Sequence, residues 1–422
     1  MTTTTPQFSA RPITHISPVD WAKKNLFSSW FNTLLTIVSV LVLGWILTTL
    51  SRWAFTQAEW EVLPANFRLL LVGRYPVELL WRVWLSLAII MGVGGFSWGI
   101  LSRNSRLFDR RGLMLLGILA ATLVIVLGLL TNPISILISL GLVVLLVGAA
   151  FMGQQIGQVK PELGSWLPLF WLLGFILAYA LVRGLVFGRP VRLDDLSGFV
   201  LTLLAASVSI VLSFPLGVLL ALGRRSDLPV IRWLSVAYIE IIRGLPLITI
   251  LFASQLLVPL ALPGYIRTGR VVRALVGLTL FSAAYLAENV RGGLQAVPRG
   301  QTEAAKALGM NPLLSTSLIV LPQALKAVIP TIVGQFISLF KDTSLLTIVG
   351  FAELLGMGQT VLANPQYLGK NGEVLLFIGL IYFLCCSAMS WASRRIEKQL
   401  ATARPGPTAA PPVDPITAGE TA

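Results

Sequence analysis

About ten uninterrupted apolar runs, each close to twenty residues long, dominate this sequence of 422 residues. A membrane hydrocarbon core of about 30 Å needs roughly twenty apolar residues of helix to cross it. The runs lie near residues 31–50, 80–100, 113–131, 134–152, 167–187, 198–222, 238–262, 272–290, 325–349 and 375–393. Because they lack the short alternating pattern of a membrane barrel, we predict an all-α integral membrane protein with about ten transmembrane helices.

The composition agrees with a membrane protein and argues against several other classes. Hydrophobic residues make up 55% of the chain and charged residues only 12%, with a net charge of +14. Lys and Arg are concentrated between the apolar runs. This distribution is typical of the cytoplasmic loops of a membrane protein and not of a nucleic-acid-binding surface. His15 is the only histidine, and Cys385 and Cys386 are adjacent within an apolar run. We therefore expect no metal site, no disulfide framework, no bound nucleic acid and no enzyme activity.

The basic residues between the runs also predict an orientation. Arg11, Lys23 and Lys24 precede the first run, and Arg394 and Arg395 follow the last. These groups fall on the cytoplasmic side if both termini are cytoplasmic. The first run lacks a small-residue cleavage site, so we expect it to remain as an anchor. The prediction is a multi-pass protein of a bacterial inner membrane with both termini in the cytoplasm.

One polar segment between the eighth and ninth runs has a pattern of its own. Residues 301–308 are mostly good helix formers, Pro298 suits a first helical turn, and Gly309 lies where a helix can end in a left-handed residue. Asn311 and Pro312 then have the pattern of a cap and first residue of a second short helix. We predict a helix-turn-helix finger lying across the membrane axis.

The finger also contains a motif. Glu-Ala-Ala, then Gly at a fixed offset, then Ile-x-Leu-Pro resembles the cytoplasmic coupling loop of ABC-importer permeases, which docks onto a separate ATPase. Small side chains at two alanines allow a partner to approach closely, and one glutamate can orient it. The motif residues are Glu303, Ala304, Ala305, Gly309, Ile319, Leu321 and Pro322. An ordinary polar loop between two spans is the alternative.

Further segments narrow the resemblance. Residues 284–301 resemble the lead-in to this loop in permeases for His, Glu, Gln and Arg. Residues 239–247 resemble their Glu-x-x-Arg-Gly-x-Pro-Leu segment, and the Gly and Pro there predict a bend between an interfacial segment and a span. Residues 340–346 resemble their Lys-Asp-Thr-Ser-Leu segment, and residues 66–76 are similar to a permease subunit of general L-amino-acid uptake systems. The chain thus resembles a permease subunit of a polar or general L-amino-acid ABC importer.

The runs and the resemblance predict four parts. Residues 1–30 form a cytoplasmic arm, and residues 31–187 add about five transmembrane helices without an equivalent motif. Residues 198–396 carry five runs around the finger, which resembles the type I transmembrane core of ABC importers. Residues 397–422 are Pro-rich, and we expect a disordered cytoplasmic tail.

Two pairs of opposite charge have helical i,i+3 spacing. Glu240 and Arg243 lie near the predicted cytoplasmic boundary, where a gating role and simple topology control are equally open. Glu288 and Arg291 lie at the entrance to the finger, where a pair can stiffen the connection to the eighth span. The alternative for the second pair is a surface salt bridge of small value.

Charged and hydroxyl side chains also interrupt the ninth run. Charges inside a membrane are costly and usually face a cavity or pair with each other. An amino-acid substrate carries both an ammonium and a carboxylate, so the candidate pathway residues are Lys341, Asp342, Thr343 and Ser344. Alternatively, they bond to other helices and brace a dimer interface, because adjacent helical residues point about 100° apart.

The resemblance implies a transmembrane permease subunit of an ATP-driven ABC importer for amino acids. Its partners are ABC ATP-binding subunits, a homologous second permease subunit and an extracytoplasmic amino-acid-binding protein, all at a lipid membrane. The sequence has no phosphate-binding loop pattern, so we expect no cofactor in this chain and ATP on the partner subunits. The alternatives are a gradient-coupled secondary transporter of amino acids, which needs no docking finger, and an ABC permease for another small solute.

Overall fold

Helices of membrane-spanning length make up most of the structure. The computed structural model describes residues 17–102, 133–185, 189–263, 265 and 267–402. Within those residues, eight helices are long and apolar enough to cross a membrane, or nine if one bent pair counts as a single span. The predicted run at 113–131 lies outside the described residues. The other nine runs each coincide with one of these helices or with the bent pair, which confirms the all-α transmembrane fold.

The first compact unit of the chain ends at Glu59, and its described part holds two helices. Helix α1 (Pro18–Asn25) is capped by Ser17, whose hydroxyl accepts a hydrogen bond from the backbone of the first turn. Helix α2 (Trp30–Thr56) is about 40 Å long at 1.5 Å per residue and contains no buried residue within the described chain. That exposure suits a helix surrounded by lipid.

The second compact unit begins at Trp60 and holds the remaining helices. The accessory helices precede the motif-bearing half and are α3 (Val62–Val72), α4 (Leu80–Leu101), α5 (Pro133–Val159) and α6 (Leu167–Arg183). The core helices are α7 (Gly198–Arg224), α8 (Pro229–Gly244), α9 (Leu247–Ala261), α10 (Arg270–Ala296), α11 (Arg299–Ala307), α12 (Pro312–Leu314), α13 (Leu321–Asp342), α14 (Leu354–Leu362) and α15 (Asn371–Thr402).

Glycines bring α4 and α5 into backbone contact. A Cβ atom added to Gly99 of α4 would lie 2.1 Å from the carbonyl oxygen of Ala150. A Cβ atom added to Gly153 of α5 would lie 2.3 Å from the carbonyl oxygen of Phe96. Small residues allow transmembrane helices to approach this closely, and the gain is van der Waals contact between the two backbones. This contact fixes the two helices against each other.

Helix α3 packs into the core half of the chain. The rings of Phe67 and Phe377 meet edge to face, with centroids 5.9 Å apart. Directly after α3, the backbone N–H of Arg74 donates to Oγ of Ser197 at 2.8 Å. The shared hydrophobic cluster consists of Val62, Leu63, Phe67, Leu70, Leu354, Met357, Val361, Val374, Phe377 and Ile378. The accessory helices and the core therefore share apolar packing.

The run at 238–262 forms a bent pair instead of one straight helix. Helices α8 and α9 meet at 116°, at the Gly and Pro where the sequence predicts a bend. Pro246 is the N-terminal cap of α9, so its missing N–H leaves no hydrogen bond unmade. The hydroxyl of Tyr238 on α8 donates to the carbonyl oxygen of Leu280 on α10 at 2.7 Å. This bond holds α8 against the core.

The core helices have two ends. Helix α10 ends and α13 begins next to the finger, which defines the finger end. Helix α13 runs away from it and leads to α14, which lies at the opposite, far end. At the far end the carboxylate of Asp194 accepts a hydrogen bond of 3.0 Å from the backbone N–H of Val271. This bond satisfies an otherwise unpaired donor in the first turn of α10.

Candidate functional site

The first helix of the finger ends as the sequence predicts. Helix α11 follows Pro298, which takes the capping position just before the first turn. Gly309 has a φ of 72°, the left-handed conformation that glycine adopts without strain. Its N–H donates to the carbonyl oxygen of Lys306 at 2.9 Å, and the N–H of Met310 donates to that of Ala305 at 3.1 Å. These bonds close the helix in a compact turn.

The second helix of the finger, α12, begins at the predicted cap and is followed without a break by further helical turns. Oδ1 of Asn311 accepts a hydrogen bond of 2.8 Å from the N–H of Leu314, and Pro312 is the first helical residue. A π-helical turn over Ser315–Val320 then leads directly into α13. The predicted second short helix is thus present as α12, and no capping residue separates it from the helical path that follows. The finger is therefore continuous with a transmembrane helix.

The motif residues differ in their exposure. Glu303, Ala304 and Gly309 are exposed, whereas Ala305 is only 1% exposed and packs inward. Only the first alanine can therefore meet a partner surface. Of the later motif residues, Pro322 is exposed, and Ile319 and Leu321 are partly buried. The large apolar side chains exposed around the tip are Leu308, Leu313, Leu314 and Leu318. The finger thus exposes apolar side chains around its tip and the charged side chains of Glu303 and Lys306 on its first helix.

Five charged side chains from three helices meet at the finger end of the core. Nη1 of Arg224, the last residue of α7, lies 3.0 Å from Oε1 of Glu240 on α8. The same nitrogen lies 3.3 Å from Oε2 of Glu288 on α10, an oxygen that is also 3.8 Å from Nη1 of Arg243. Arg291 donates to the other oxygen of Glu288 through Nε at 2.8 Å and through Nη2. We call these five residues the charge cluster.

The charge cluster contains one of the two predicted pairs and replaces the other. Glu288 and Arg291 contact each other across one turn of α10, as predicted. Glu240 and Arg243 share a turn of α8 but form no ion pair with each other within the described chain. The predicted pair of Glu240 with Arg243 is therefore wrong. Glu240 pairs with Arg224 of α7 instead, and Arg243 pairs with Glu288 of α10. The result is a connection between helices instead of a local bridge, with Glu288 as the common partner of three guanidinium groups.

The candidate pathway residues lie at the far end of α13. Lys341 and Asp342 close this helix, about 30 Å from Leu321 at 1.5 Å per residue. Lys341 is exposed, Asp342 is half-buried, and no ion pair joins them in the part of the chain that the structure describes. The hydroxyl of buried Thr343 donates to the carbonyl oxygen three residues earlier at 2.6 Å, and that of Ser344 does so at 2.8 Å. The two hydroxyls thus close the helix terminus.

A buried carboxylate that the sequence reasoning missed also lies at the far end. Glu353 is 0% exposed and caps α14, where its Oε1 accepts from two backbone N–H groups at 2.8 and 3.1 Å. The hydroxyl of Thr347 donates to the same oxygen. Thr202 and Tyr382 donate to Oε2, each at 3.1 Å. Five donors therefore hold one carboxylate between α7, α14 and α15, which compensates its burial.

Comparisons with known proteins place this arrangement in a family. Residues 213–402 match the family described as "Binding-protein-dependent transport system inner membrane component". The inner membrane amino-acid ABC transporter permease protein YhdY of Escherichia coli (strain K12) is 36% identical over 412 residues, which cover 93% of this chain and 96% of that protein. The chain belongs to the family of amino-acid ABC transporter permeases.

Two further proteins resemble this permease. The glutamate/glutamine/aspartate/asparagine transport system permease protein BztC of Rhodobacter capsulatus is 36% identical over 430 residues, covering 92% of this permease and 95% of that protein. A solved amino-acid ABC transporter, crystallised with histidines, is 28% identical with a TM-score of 0.43 and covers 48% of this permease and 92% of that chain. The first of these also extends over the accessory helices.

Membership of this family confirms several predictions. The permease is the transmembrane component of an ABC importer and not an enzyme. It is a multi-pass inner-membrane protein of a class that works with ATP-binding subunits. A gradient-coupled secondary transporter is therefore set aside. The finger, the charge cluster and Glu353 all fall within the 213–402 match, so the accessory helices lie before the part that defines the family.

Proposed function

We propose that the finger of this permease is the surface that docks onto the ABC ATP-binding subunits. Its exposed Ala304 and the apolar side chains around its tip support this role, and Glu303 supplies a charge to orient the contact. ATP binds to the partner subunits, and their closure moves the finger. Because the finger continues into α13, that movement passes directly to a transmembrane helix.

The charge cluster makes the finger end move as one body. Glu288 lies two turns before the end of α10 and is linked to α7 through Arg224 and to α8 through Arg243. Displacement of the finger is thereby shared among the helices that precede it. The proposed cycle is alternating access, in which ATP binding opens the pathway toward the far end and hydrolysis resets it.

Two further partners belong to this proposal. A single core cannot enclose a pathway, so a homologous second permease subunit completes it. An extracytoplasmic binding protein delivers the amino acid to the far end, in keeping with the description of the family. The far end is then extracytoplasmic and both termini are cytoplasmic, which the lysines of α1 and the arginine at position 394 favour.

The pathway itself begins at the end of α13. Exposed Lys341 can meet a substrate carboxylate and half-buried Asp342 a substrate ammonium, with Thr343 and Ser344 on the following turn. The two charges are not bound to each other in the described chain, which supports a role toward a zwitterionic solute. Bracing of a dimer interface is the competing role for the same residues.

The observation that best supports this proposal is the exposed finger and its continuity with α13. Its test is co-purification from the native membrane in mild detergent, with Gly309→Val as the variant. A β-branched residue is strongly disfavoured in the left-handed conformation of Gly309, so the finger turn must change. Gly379→Val is the matched control, because Gly379 lies on α15 outside the finger, is exposed and helical, and has no atom within 4 Å of an added Cβ.

We expect ATP-binding subunits and a second permease to accompany the wild type and the control. The Gly309→Val variant should lose the ATP-binding subunits and keep the second permease. If the ATP-binding subunits remain with the variant, the finger is not the docking surface. If no ATP-binding subunit accompanies the wild type, the proposed coupling is wrong for this chain.

A further inference from the structure

An apolar crevice lies between accessory helix α6 and the core. It has a volume of about 680 Å³. Its walls come from α6, α7 and α10, with Leu193 at the far end. The lining residues are Phe175, Ile176, Tyr179, Leu193, Val208, Leu212, Pro215, Leu216, Val272, Leu275, Val276, Thr279 and Leu280. Only two of them, Tyr179 and Thr279, carry a side-chain polar group.

The chemistry of the crevice walls indicates what kind of molecule fills the crevice. Its walls belong to helices that cross the membrane, so the space is bordered by lipid and not by bulk water. Water is a poor occupant here, because a buried water needs two to four polar partners and the walls are almost entirely hydrocarbon. The hydroxyl of Thr279 is buried and has no hydrogen-bond partner among the described residues. A hydrocarbon ligand fits these walls better than water.

The dimensions of the crevice match one leaflet of a bilayer. On α10 its wall runs from Val272, in the first turn at the far end, to Leu280, which is about 12 Å at 1.5 Å per residue. On α7 it runs from Val208 to Leu216, again about 12 Å. One leaflet of hydrocarbon is about 15 Å thick. On α10 the crevice therefore begins at the far end, whereas on α7 it lies about 15 to 27 Å from Gly198 and reaches past the middle of that helix.

The crevice is also open to its surroundings. Ile176 on α6 is 52% exposed, and Leu212 and Leu216 on α7 are 48% and 40% exposed. These residues belong to helices that cross the membrane, so their exposed surface faces lipid or another membrane protein. A lipid chain can therefore enter sideways from the bilayer without passing through the permease.

Two basic residues are close in sequence to far-end wall residues of the crevice. Arg183 follows Tyr179 by one helical turn on the same side of α6, and its buried Nε has no hydrogen-bond partner among the described residues. Arg192 is exposed and immediately precedes Leu193 of the crevice wall. Exposed Asp195 follows on the same turn. Two guanidinium groups suit a phosphate, and the carboxylate suits a neighbouring ammonium.

We propose that a glycerophospholipid from the far-end leaflet binds here, with one acyl chain in the crevice and its phosphate beside Arg183 and Arg192. The lipid then fills the gap between the accessory helices and the core and links them. This binding does not depend on the proposed docking of the ATP-binding subunits. In this proposal, accessory helix α6 forms one wall of a lipid-binding site.

The first test uses a phospholipid with a photoreactive group near the middle of one acyl chain. Purified permease complex in nanodiscs containing this lipid is irradiated, and the labelled peptides are identified by mass spectrometry. We expect labelling of the crevice walls, at residues such as Phe175 and Val276, above that of exposed positions of α7 outside the crevice such as Val211. Absence of labelling on the walls, as when another protein segment fills the crevice, would overturn the proposal.

The second test counts retained lipids by native mass spectrometry. Val208→Phe fills the crevice, and Val211→Phe makes the same change at an exposed position of α7 outside it. We expect the first variant to retain one phospholipid fewer than wild type and the second to match wild type. Equal lipid counts in all three would contradict the proposal. If Val208→Phe does not assemble, Leu212→Trp at an exposed wall position replaces it.

Headgroup contacts are tested on delipidated complex with added lipids. We expect phosphatidylethanolamine and phosphatidylglycerol to bind at least tenfold more tightly than diacylglycerol of the same chains. Arg192→Gln should reduce that preference, whereas Arg267→Gln, which removes another exposed arginine, should not. Equal binding of diacylglycerol to the wild type would show that the phosphate makes no contribution and would overturn the headgroup assignment.

Discussion

Nη1 of Arg224 lies 3.0 Å from Oε1 of Glu240, and this contact joins the last residue of α7 to the C-terminal part of α8. The same guanidinium reaches Glu288 on α10 at 3.3 Å. The side chains of Arg224 and Glu288 are 25% and 22% exposed, whereas that of Glu240 is 54% exposed. Glu288 is therefore the inner member of the cluster and Glu240 the outer one.

Replacing Glu288 should impair coupling more than replacing Glu240. Glu288→Gln removes the charge that three arginines share and leaves them close together, whereas Glu240→Gln removes one outer contact. Partly exposed pairs contribute only about 0.2–1 kcal/mol each, so both variants should fold. In proteoliposomes we expect more ATP hydrolysed per amino acid transported for Glu288→Gln. If the variant hydrolyses as much ATP per transported amino acid as the wild type, the charge cluster has no role in coupling and consists of ordinary surface salt bridges.

The buried carboxylate of Glu353 should stabilise the far end of the core. Glu353→Gln keeps the shape but presents an amide N–H₂ to groups that now donate to the carboxylate. Leaving a buried donor unsatisfied costs about 1–3 kcal/mol, so the variant should have a clearly lower Tm in detergent. Glu303→Gln makes the same change at an exposed position and should not alter the Tm. Equal Tm values would show that the five donors find other partners.

The two alanines of the motif should respond differently to the same substitution. Ala304→Arg adds a large side chain to the exposed face of the finger and should leave the Tm unchanged while abolishing association with ATP-binding subunits. Ala305→Arg forces a charge into a site that is 1% exposed and should lower the Tm. Thermal melting and co-purification separate the two effects. Retained association in a folded Ala304→Arg variant would contradict the assignment of the docking face.

Local features of the finger were predictable because they depend on neighbours in sequence. The left-handed Gly309 and the cap at Asn311 follow from residue types within a few positions of each other. The charge cluster was predicted only in part, since Arg224 contacts Glu288 across 64 positions of the chain. Thr202 donates to Glu353 across 151 positions. No periodicity brings such residues together before the helices are packed.

The extent of the apolar runs was predictable for a similar reason. Hydropathy reports how many residues a helix can hold within a membrane, so nine runs match helices or the bent pair of the described chain. It does not report which helices touch. The packing of α3 onto α14 and α15, and the crevice beside α6, depend on side-chain shape over the whole unit. These features therefore required the structure.

The glycine contact in the accessory helices should be sensitive to a single methyl group. Gly153→Ala places a Cβ 2.3 Å from the carbonyl oxygen of Phe96, so α4 and α5 must separate. Overpacking of this kind costs about 1–3 kcal/mol, and we expect a lower Tm. Gly148→Ala is the control on the same helix, because an added Cβ there has no atom within 4 Å. If the two variants melt alike, the contact is looser than the structure indicates.

The charges at the end of α13 can be assigned to substrate or to assembly by one substitution. Asp342→Asn keeps the side-chain size and removes the charge, and hydrogen bonds to charged groups contribute about 1.5–3 kcal/mol. If Asp342 meets the substrate ammonium, the KM for uptake should rise roughly tenfold or more in complexes of normal composition. Asp227→Asn makes the same change at an exposed position outside α13 and should leave the KM unchanged.

The bracing role leads to the opposite pattern for Asp342→Asn. A carboxylate that holds two permease subunits together affects how much complex forms and how easily it melts, but not the affinity for substrate. Less complex or a lower Tm with an unchanged KM and unchanged substrate preference would therefore exclude Asp342 from the pathway. Lys341 is the adjacent, exposed residue and is the other half of the proposed substrate site. In the bracing role, Lys341→Gln should therefore also leave the KM for every amino acid unchanged.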